Sequence, residues 1–130
     1  MRRAATLACC YRWLSLTGCL AGGLLGAGSD PWGTGYLPGF GNQRNYELLV
    51  EAGFTPEQAI GILTLNGARI LGEEAMLGSV IPGKLADLVV IRGDPVTTPS
   101  DIYDVVTVFK DGVGYDSQRL LQAVKGSIGS

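Results

Sequence analysis

The sequence predicts a mixed α/β chain, and three observations carry that prediction. Residues 42–71 place apolar side chains at helical spacing between clear start and stop signals. Residues 85–115 instead hold short β-branched runs divided by turn residues. Hydrophobic residues make up 46% of the chain and charged residues 17%, which excludes disorder and allows one modest domain with a packed core in 130 residues.

The first thirty residues differ from the rest. Arg2 and Arg3 open the chain, Arg12 follows, and residues 13–29 carry no charge. A basic start, an apolar stretch and small residues are features of an export signal. Leu16-Thr17-Gly18-Cys19 also resembles a bacterial lipoprotein processing site, with Cys19 as the lipid-bearing residue. Against this, Arg12 falls where the apolar core of a signal belongs. The uncharged run is also glycine-rich and short of the ~20 apolar residues of a membrane span. Residues 1–20 therefore stay unassigned or signal-like, and a cytoplasmic or exported location turns on them. Residues 23–28 read better as a buried strand that ends at Ser29-Asp30.

Residues 31–41 hold only loop signals: Pro31, Gly33, Gly35, Pro38, Gly39 and Gly41. A helix is expected over 42–52, with Tyr46, Leu49 and Val50 on one face and Gly53 as a left-handed stop. Thr55-Pro56-Glu57-Gln58 marks a second start, in which Thr55 caps, Pro56 is pre-set for the first position and Gln58 completes a capping box. Ala59, Ile60, Ile62 and Leu63 make that helix apolar on most sides, so it should be largely buried. Asn66-Gly67 is expected to interrupt it before a final turn stopped by Gly72. The period then changes. Pro82-Gly83 marks a turn, and the runs 85–91 and 105–109 are of strand type. Asp111-Gly112 is a tight hairpin signal before residues 113–115. Asp116 then caps an amphipathic helix carrying Leu120, Leu121 and Val124. The regions should meet near residues 72–79.

Composition limits the chemistry. Net charge is −2, and no cluster of Lys or Arg recurs after the first dozen residues, so no nucleic-acid partner is expected. The chain has no histidine, the residue on which hydrolytic metal centres and proton shuttles usually draw. Cys9, Cys10 and Cys19 all lie in the first twenty residues, at spacings that make no zinc site.

Three segments together resemble the C-terminal third of the amidohydrolase superfamily, nearest to its imidazolonepropionase-like and prolidase-like group. The first runs from Gly22 to Asp30. The second runs from Thr55-Pro56-Glu57-Gln58-Ala59 through Thr64-Leu65-Asn66-Gly67-Ala68-Arg69 to Leu71-Gly72. The third joins Leu77-Gly78-Ser79-Val80 to Pro82-Gly83-Lys84-Leu85-Ala86-Asp87-Leu88-Val89-Val90 and Gly93-Asp94-Pro95. The resemblance implies the C-terminal end of a metal-dependent (β/α)₈ barrel plus part of a small β-sandwich, both incomplete. Residues 21–74 would hold the last barrel strand and following helices, and 75–130 the partial β-sandwich and C-terminal helix. It further implies hydrolysis of a carbon–nitrogen bond in an amide, a cyclic amide or a dipeptide. Asp30 would lie at the C-terminal end of a barrel strand, where barrel chemistry sits. There it would bind a divalent metal, zinc in the first instance, and act as base and then acid.

The family's other ligands, a His-x-His pair, a mid-barrel lysine or glutamate and two further histidines, have no counterpart here. A barrel of this type takes ~250 residues. The expectation is thus a fragment, inactive as an isolated chain and without a tightly held metal. Self-association or pairing with a missing N-terminal portion would follow. A truncated or mis-started gene model, one fragment of a split enzyme and a remnant with a different role all fit that expectation. The alternatives are a non-catalytic interaction module and an exported lipid-anchored protein acting through Cys19.

Asp30 is the one candidate for chemistry, catalytic and metal-binding together; its plainer role is to cap the turn at Pro31. Ser29 has no histidine to activate it. The glycines of residues 33–41 lack the Lys-Ser/Thr that a phosphate cradle needs. Asn66 reads as a hydrogen-bonder that breaks a helix, Lys84 and Asp87 as turn-shaping residues, and Glu73-Glu74 as solvated surface. Trp32 and Tyr36 suit either a substrate pocket or packing.

Overall fold

The computed structural model describes residues 22–29 and 41–125. The chain divides into two compact units, one ending at Ser79 and the other beginning at Val80.

In the first unit, α1 (Gly41–Glu51), α2 (Pro56–Leu63) and α3 (Leu65–Leu71) follow in order. Gly53 ends α1 with φ of 104°. Its N–H donates to the Val50 carbonyl at 2.9 Å, and the Phe54 N–H donates to Leu49 at 3.2 Å, the paired bonds of a Schellman stop. Thr55 then starts α2 with a complete capping box. The Gln58 N–H donates to Thr55 Oγ1 at 3.3 Å, and the Thr55 N–H donates to Gln58 Oε1 at 2.9 Å. Helix α1 packs on α2, and α2 on α3. The buried side chains are Tyr46, Phe54, Ala59, Ile62 and Ala68, with Tyr46 wholly removed from solvent. Helix α2 is less buried than its composition suggests, since Ile60 and Leu63 stay half-buried.

The helix break falls at Thr64, not at Asn66-Gly67. Thr64 sits at φ −121° and ψ −83°, and its hydroxyl donates to the Ile60 carbonyl at 2.7 Å. That local bond competes with the helical ladder. The helix resumes at Leu65 with Asn66 and Gly67 inside it. Beyond the stop at Gly72, Gly78 lies against this junction. Its φ is 84°, and a methyl there would lie 2.7 Å from Ala68 Cβ and 2.9 Å from Leu65 Cα.

The second unit is an antiparallel meander of β1 (Leu88–Ile91), β2 (Val105–Lys110) and β3 (Val113–Asp116), with α4 (Ser117–Val124) packed on β2 and β3. A short 3₁₀ helix, Pro99–Tyr103, precedes β2. Strand β1 is shorter than the run 85–91. Residues 86 and 87 serve the hairpin turn instead: the Gly112 N–H donates to the Ala86 carbonyl at 3.1 Å, and the Asp111 N–H to Asp87 Oδ1 at 2.8 Å. Asp111 and Gly112 both have positive φ, 50° and 80°, as a type I′ hairpin requires. Val89, Val108 and Tyr115 are register partners and share one face, which Val113 joins two residues along β3. Asp116 caps α4 through the Arg119 N–H at 2.9 Å.

Carboxylates brace the loops of this unit. Lys110 Nζ donates to Asp87 Oδ2 at 2.7 Å, and the Thr97 hydroxyl donates to Asp94 Oδ2 at 2.7 Å. The Asp111 N–H, and then Lys110, hold Asp87 below the ordinary carboxylate range. The Thr97 hydroxyl and then the Val96 N–H do the same for Asp94. Carboxylates with a lowered folded-state pKa add stability above the unfolded value of about 4, and lose it as pH falls through the folded value. The thermal midpoint should therefore fall as the medium is acidified below about pH 4. Asp87→Asn should flatten that fall, and an unchanged acid limb in a melting series would contradict the role given to Asp87.

Two substitutions check the first unit. Thr55→Ala should cost about 1 kcal/mol, the usual value of an N-cap. Gly78→Ala should cost more, because its added methyl meets backbone in a left-handed conformation. Urea unfolding followed by helical circular dichroism measures both, and equal midpoints for the two variants would argue against the close approach at Gly78.

Candidate functional site

Asp30 lies outside the described residues, as do Trp32, Tyr36, the glycines at 33, 35 and 39, and all three cysteines. The described part of the candidate site is the segment that leads to Asp30. Residues 23–29 carry neither helix nor strand. The expected strand over 23–28 is thus not formed as a paired element. Pairing defines a strand, and every strand among the described residues belongs to the other unit.

Three contacts nevertheless fix this segment. Asn66 Nδ2 on α3 donates to the Leu25 carbonyl at 2.9 Å in a partly buried setting. Gly26 lies so near α3 that a methyl on it would come within 2.6 Å of Ile70 Cδ1. Ser29 meets the start of α1: its hydroxyl donates to Asn42 Oδ1 at 3.2 Å, and a methyl on Gly41 would lie 2.7 Å from Ser29 Cβ. Ser29 is thereby engaged as an anchor, in keeping with the lack of a base to activate it. Asn66 is a hydrogen-bonder as its residue type suggests, but it bonds across the unit instead of breaking its own helix. The sequence signal for these contacts is small residues, Gly26 and Gly41, opposite polar ones.

The other candidates serve the framework. Asp87 holds the β2–β3 turn, and Glu73 and Glu74 are exposed. Among the described residues no three His, Cys, Asp or Glu side chains stand close enough to hold a metal ion. Among them, too, no helix is long and apolar enough to cross a membrane.

Comparison with known proteins places this geometry. Residues 40–114 match the model of the amidohydrolase family, a stretch that begins after Asp30. Adenine deaminase 2 of Jannaschia sp. (strain CCS1) is 31% identical over 102 residues, which is 69% of this chain and 16% of that protein. Imidazolonepropionase of Clostridium tetani is 33% identical over 95 residues, covering 65% of this chain and 22% of the enzyme. The crystal structure of a prolidase-like protein from Bifidobacterium longum superposes with a TM-score of 0.69 at 34% identity, over 76% of this chain and 24% of that one. The chain thus spans less than a quarter of the length of each of these proteins.

The divalent metal implied by the resemblance finds no fitting donor set among the described residues. A zinc centre takes three or four side chains from His, Cys and carboxylates. This chain has no histidine, and its described carboxylates do not converge. Calorimetric titration of the full chain with Zn²⁺ should therefore show no tight stoichiometric site. A tight site that disappears in Asp30→Asn would overturn that expectation.

Proposed function

Because the chain belongs to the amidohydrolase family, we propose that it forms the C-terminal portion of a hydrolase acting on carbon–nitrogen bonds of small molecules. On this reading residues 21–74 close the end of a (β/α)₈ barrel, and residues 75–130 form part of a β-sandwich with a C-terminal helix. The substrate class is an amide, a cyclic amide or a dipeptide. The family match over residues 40–114 carries the proposal. The names of the similar proteins, a deaminase, an imidazolonepropionase and a prolidase-like protein, support the bond type.

The chain's own chemical part is assigned to Asp30. A carboxylate within reach of an attacking water accepts its proton, and the resulting acid can then protonate the leaving nitrogen. The remaining groups would come from the N-terminal portion, the proposed partner. An apolar surface for such assembly is present: Val89, Val113 and Tyr115, on one face of the sheet, are 57%, 56% and 44% exposed.

That surface also favours a second reading, a non-catalytic module that binds a partner through its sheet. One experiment separates the two. Co-expression with the N-terminal barrel portion of a similar enzyme should yield a complex that hydrolyses amide or dipeptide substrates. Asp30→Asn should lower its kcat by about 10² to 10⁴-fold, the range for a general acid–base group, and leave the complex intact. Full activity of that variant would remove Asp30 from the chemistry, and a stable complex without hydrolysis would select the interaction module.

A further inference from the structure

We propose, independently of the hydrolase reading, that Asn66-Gly67 is a self-modifying site, at which Asn66 loses its side-chain amide as ammonia when segment 22–29 lifts from α3. Two contacts of the first unit meet at this pair. Asn66 Nδ2, the nitrogen that leaves, donates to the Leu25 carbonyl at 2.9 Å. Gly26 lies beside the pair, since a methyl on it would stand 4.0 Å from Gly67 Cα and 2.6 Å from Ile70 Cδ1. Helix α3 has seven residues and is broken from α2 at Thr64, so it is too short to persist without such contacts. The segment and the first turn of α3 therefore hold one another.

The reaction needs only the pair and water. The main-chain nitrogen of Gly67, once it gives its proton to water or hydroxide, attacks Asn66 Cγ. The new bond closes a five-membered imide, the Cγ–Nδ2 bond breaks and ammonia departs. Water then opens either imide carbonyl, leaving a carboxyl on the side chain of residue 66 or routing the main chain through that side chain. Nothing is oxidised or reduced: an amide and water become a carboxylate and ammonium. Glycine favours the attack because no Cβ crowds its nitrogen. The N-cap does not occupy that nitrogen: Gly67 is the third residue of α3, where N–H groups find no acceptor inside their own helix, and the Thr64 side chain makes no cap bond. Packing gives no reason for the glycine, since a methyl on Gly67 would meet nothing within 4 Å, and alanine is the better helix former. The reaction is withheld by the helical backbone, in which the ring cannot close, and by the hold of Leu25 on the leaving nitrogen.

The product does not close again. A carboxylate at position 66 has no proton to donate. It sets its charge against the Leu25 carbonyl in a partly buried place, and a rerouted main chain cannot continue the helix. Modification is therefore one-way: segment 22–29 stays released, and the carboxylate that accumulates records how often this part of the first unit has opened.

The test ages the full chain in neutral buffer and follows the peptide that carries Asn66 by mass spectrometry, with enzymatic methylation to count isoaspartate. In urea, where the fold is lost, conversion should run at least about 10-fold faster than in the folded chain. Gly67→Ala should suppress it in both states. Two substitutions loosen the segment without touching the pair. Ser29→Ala removes the bond to Asn42 and should raise the folded-state rate about 2- to 10-fold, the usual effect of one hydrogen bond. Gly26→Val extends a Cβ that already stands too near Ile70 and should raise the rate further. Equal rates in the folded and unfolded wild-type chain would overturn the guard. A rate unchanged in both variants, or raised only in Gly26→Val and only with loss of helical circular dichroism, would assign protection to the helix alone and overturn the role of segment 22–29. Conversion as fast in Gly67→Ala as in the wild type would move the chemistry away from this pair.

Discussion

A partly buried main-chain carbonyl without a ladder partner gains from a side-chain donor, and the amide of Asn66 supplies one for Leu25. In the second unit side chains meet the main chain at exposed turns, where Asp87 accepts the N–H of Asp111 at the hairpin and Asp94 accepts the N–H of Val96. Each of these bonds closes a place where regular structure stops. An unmet group costs about 1 to 3 kcal/mol when buried, more than a typical hydrogen bond contributes. The side chains that meet such groups therefore decide where loops can go. Helices α1 to α3 supply the framework of the first unit and the sheet that of the second, and within each a few polar residues fix the loops.

The two units differ in how they use apolar surface. In the first, Tyr46, Phe54, Ala59, Ile62 and Ala68 form a small buried core. In the second, no described residue is fully buried, and several valines face solvent. The sheet still holds its register because a one-residue slip would turn every side chain to the opposite face and break the Asp87 brace. Its ion pair, Lys110 with Asp87, is exposed and adds little by charge alone. The hydrogen bond from the Asp111 N–H matters more, since it ties the turn to the residue just before β1.

Local signals were legible in the sequence, and long-range ones were not. The stops at Gly53 and Gly72, the capping box of Thr55 and Gln58, the Asp111-Gly112 hairpin and the cap at Asp116 all depend on residues within five positions of one another. Each is formed in the structure. The break at Thr64 was hidden because two polar residues, Thr64 and Asn66, stand two positions apart, and either residue type can interrupt a helix. In the structure Asn66 engages Leu25, far away in sequence, and Thr64 bonds Ile60. The early end of the run 85–91 has the same origin, since residues 86 and 87 are taken by a turn some 24 positions on. For the candidate site, a family motif could mark Asp30 as the residue of interest. Nothing in the motif could show that Asn66, Gly26 and Gly41 grip the segment before it, because each looks like an ordinary helix or loop residue by itself.

This division between framework and chemistry bears on what the chain can do. Hydrolysis of an unactivated carbon–nitrogen bond needs a proton acceptor for the attacking water, a donor for the departing nitrogen, and groups that stabilise the charge developing on oxygen. One carboxylate can serve as the acceptor and then as the donor, at different moments. It cannot also stabilise an oxyanion, whose charge it shares. The framework of the first unit is nevertheless well defined, with a capped helix pair, a close glycine contact at the α2–α3 junction and three grips on residues 25–29. Such definition is more than a solvated tail requires. It suits the role proposed for this segment, which leads to Asp30.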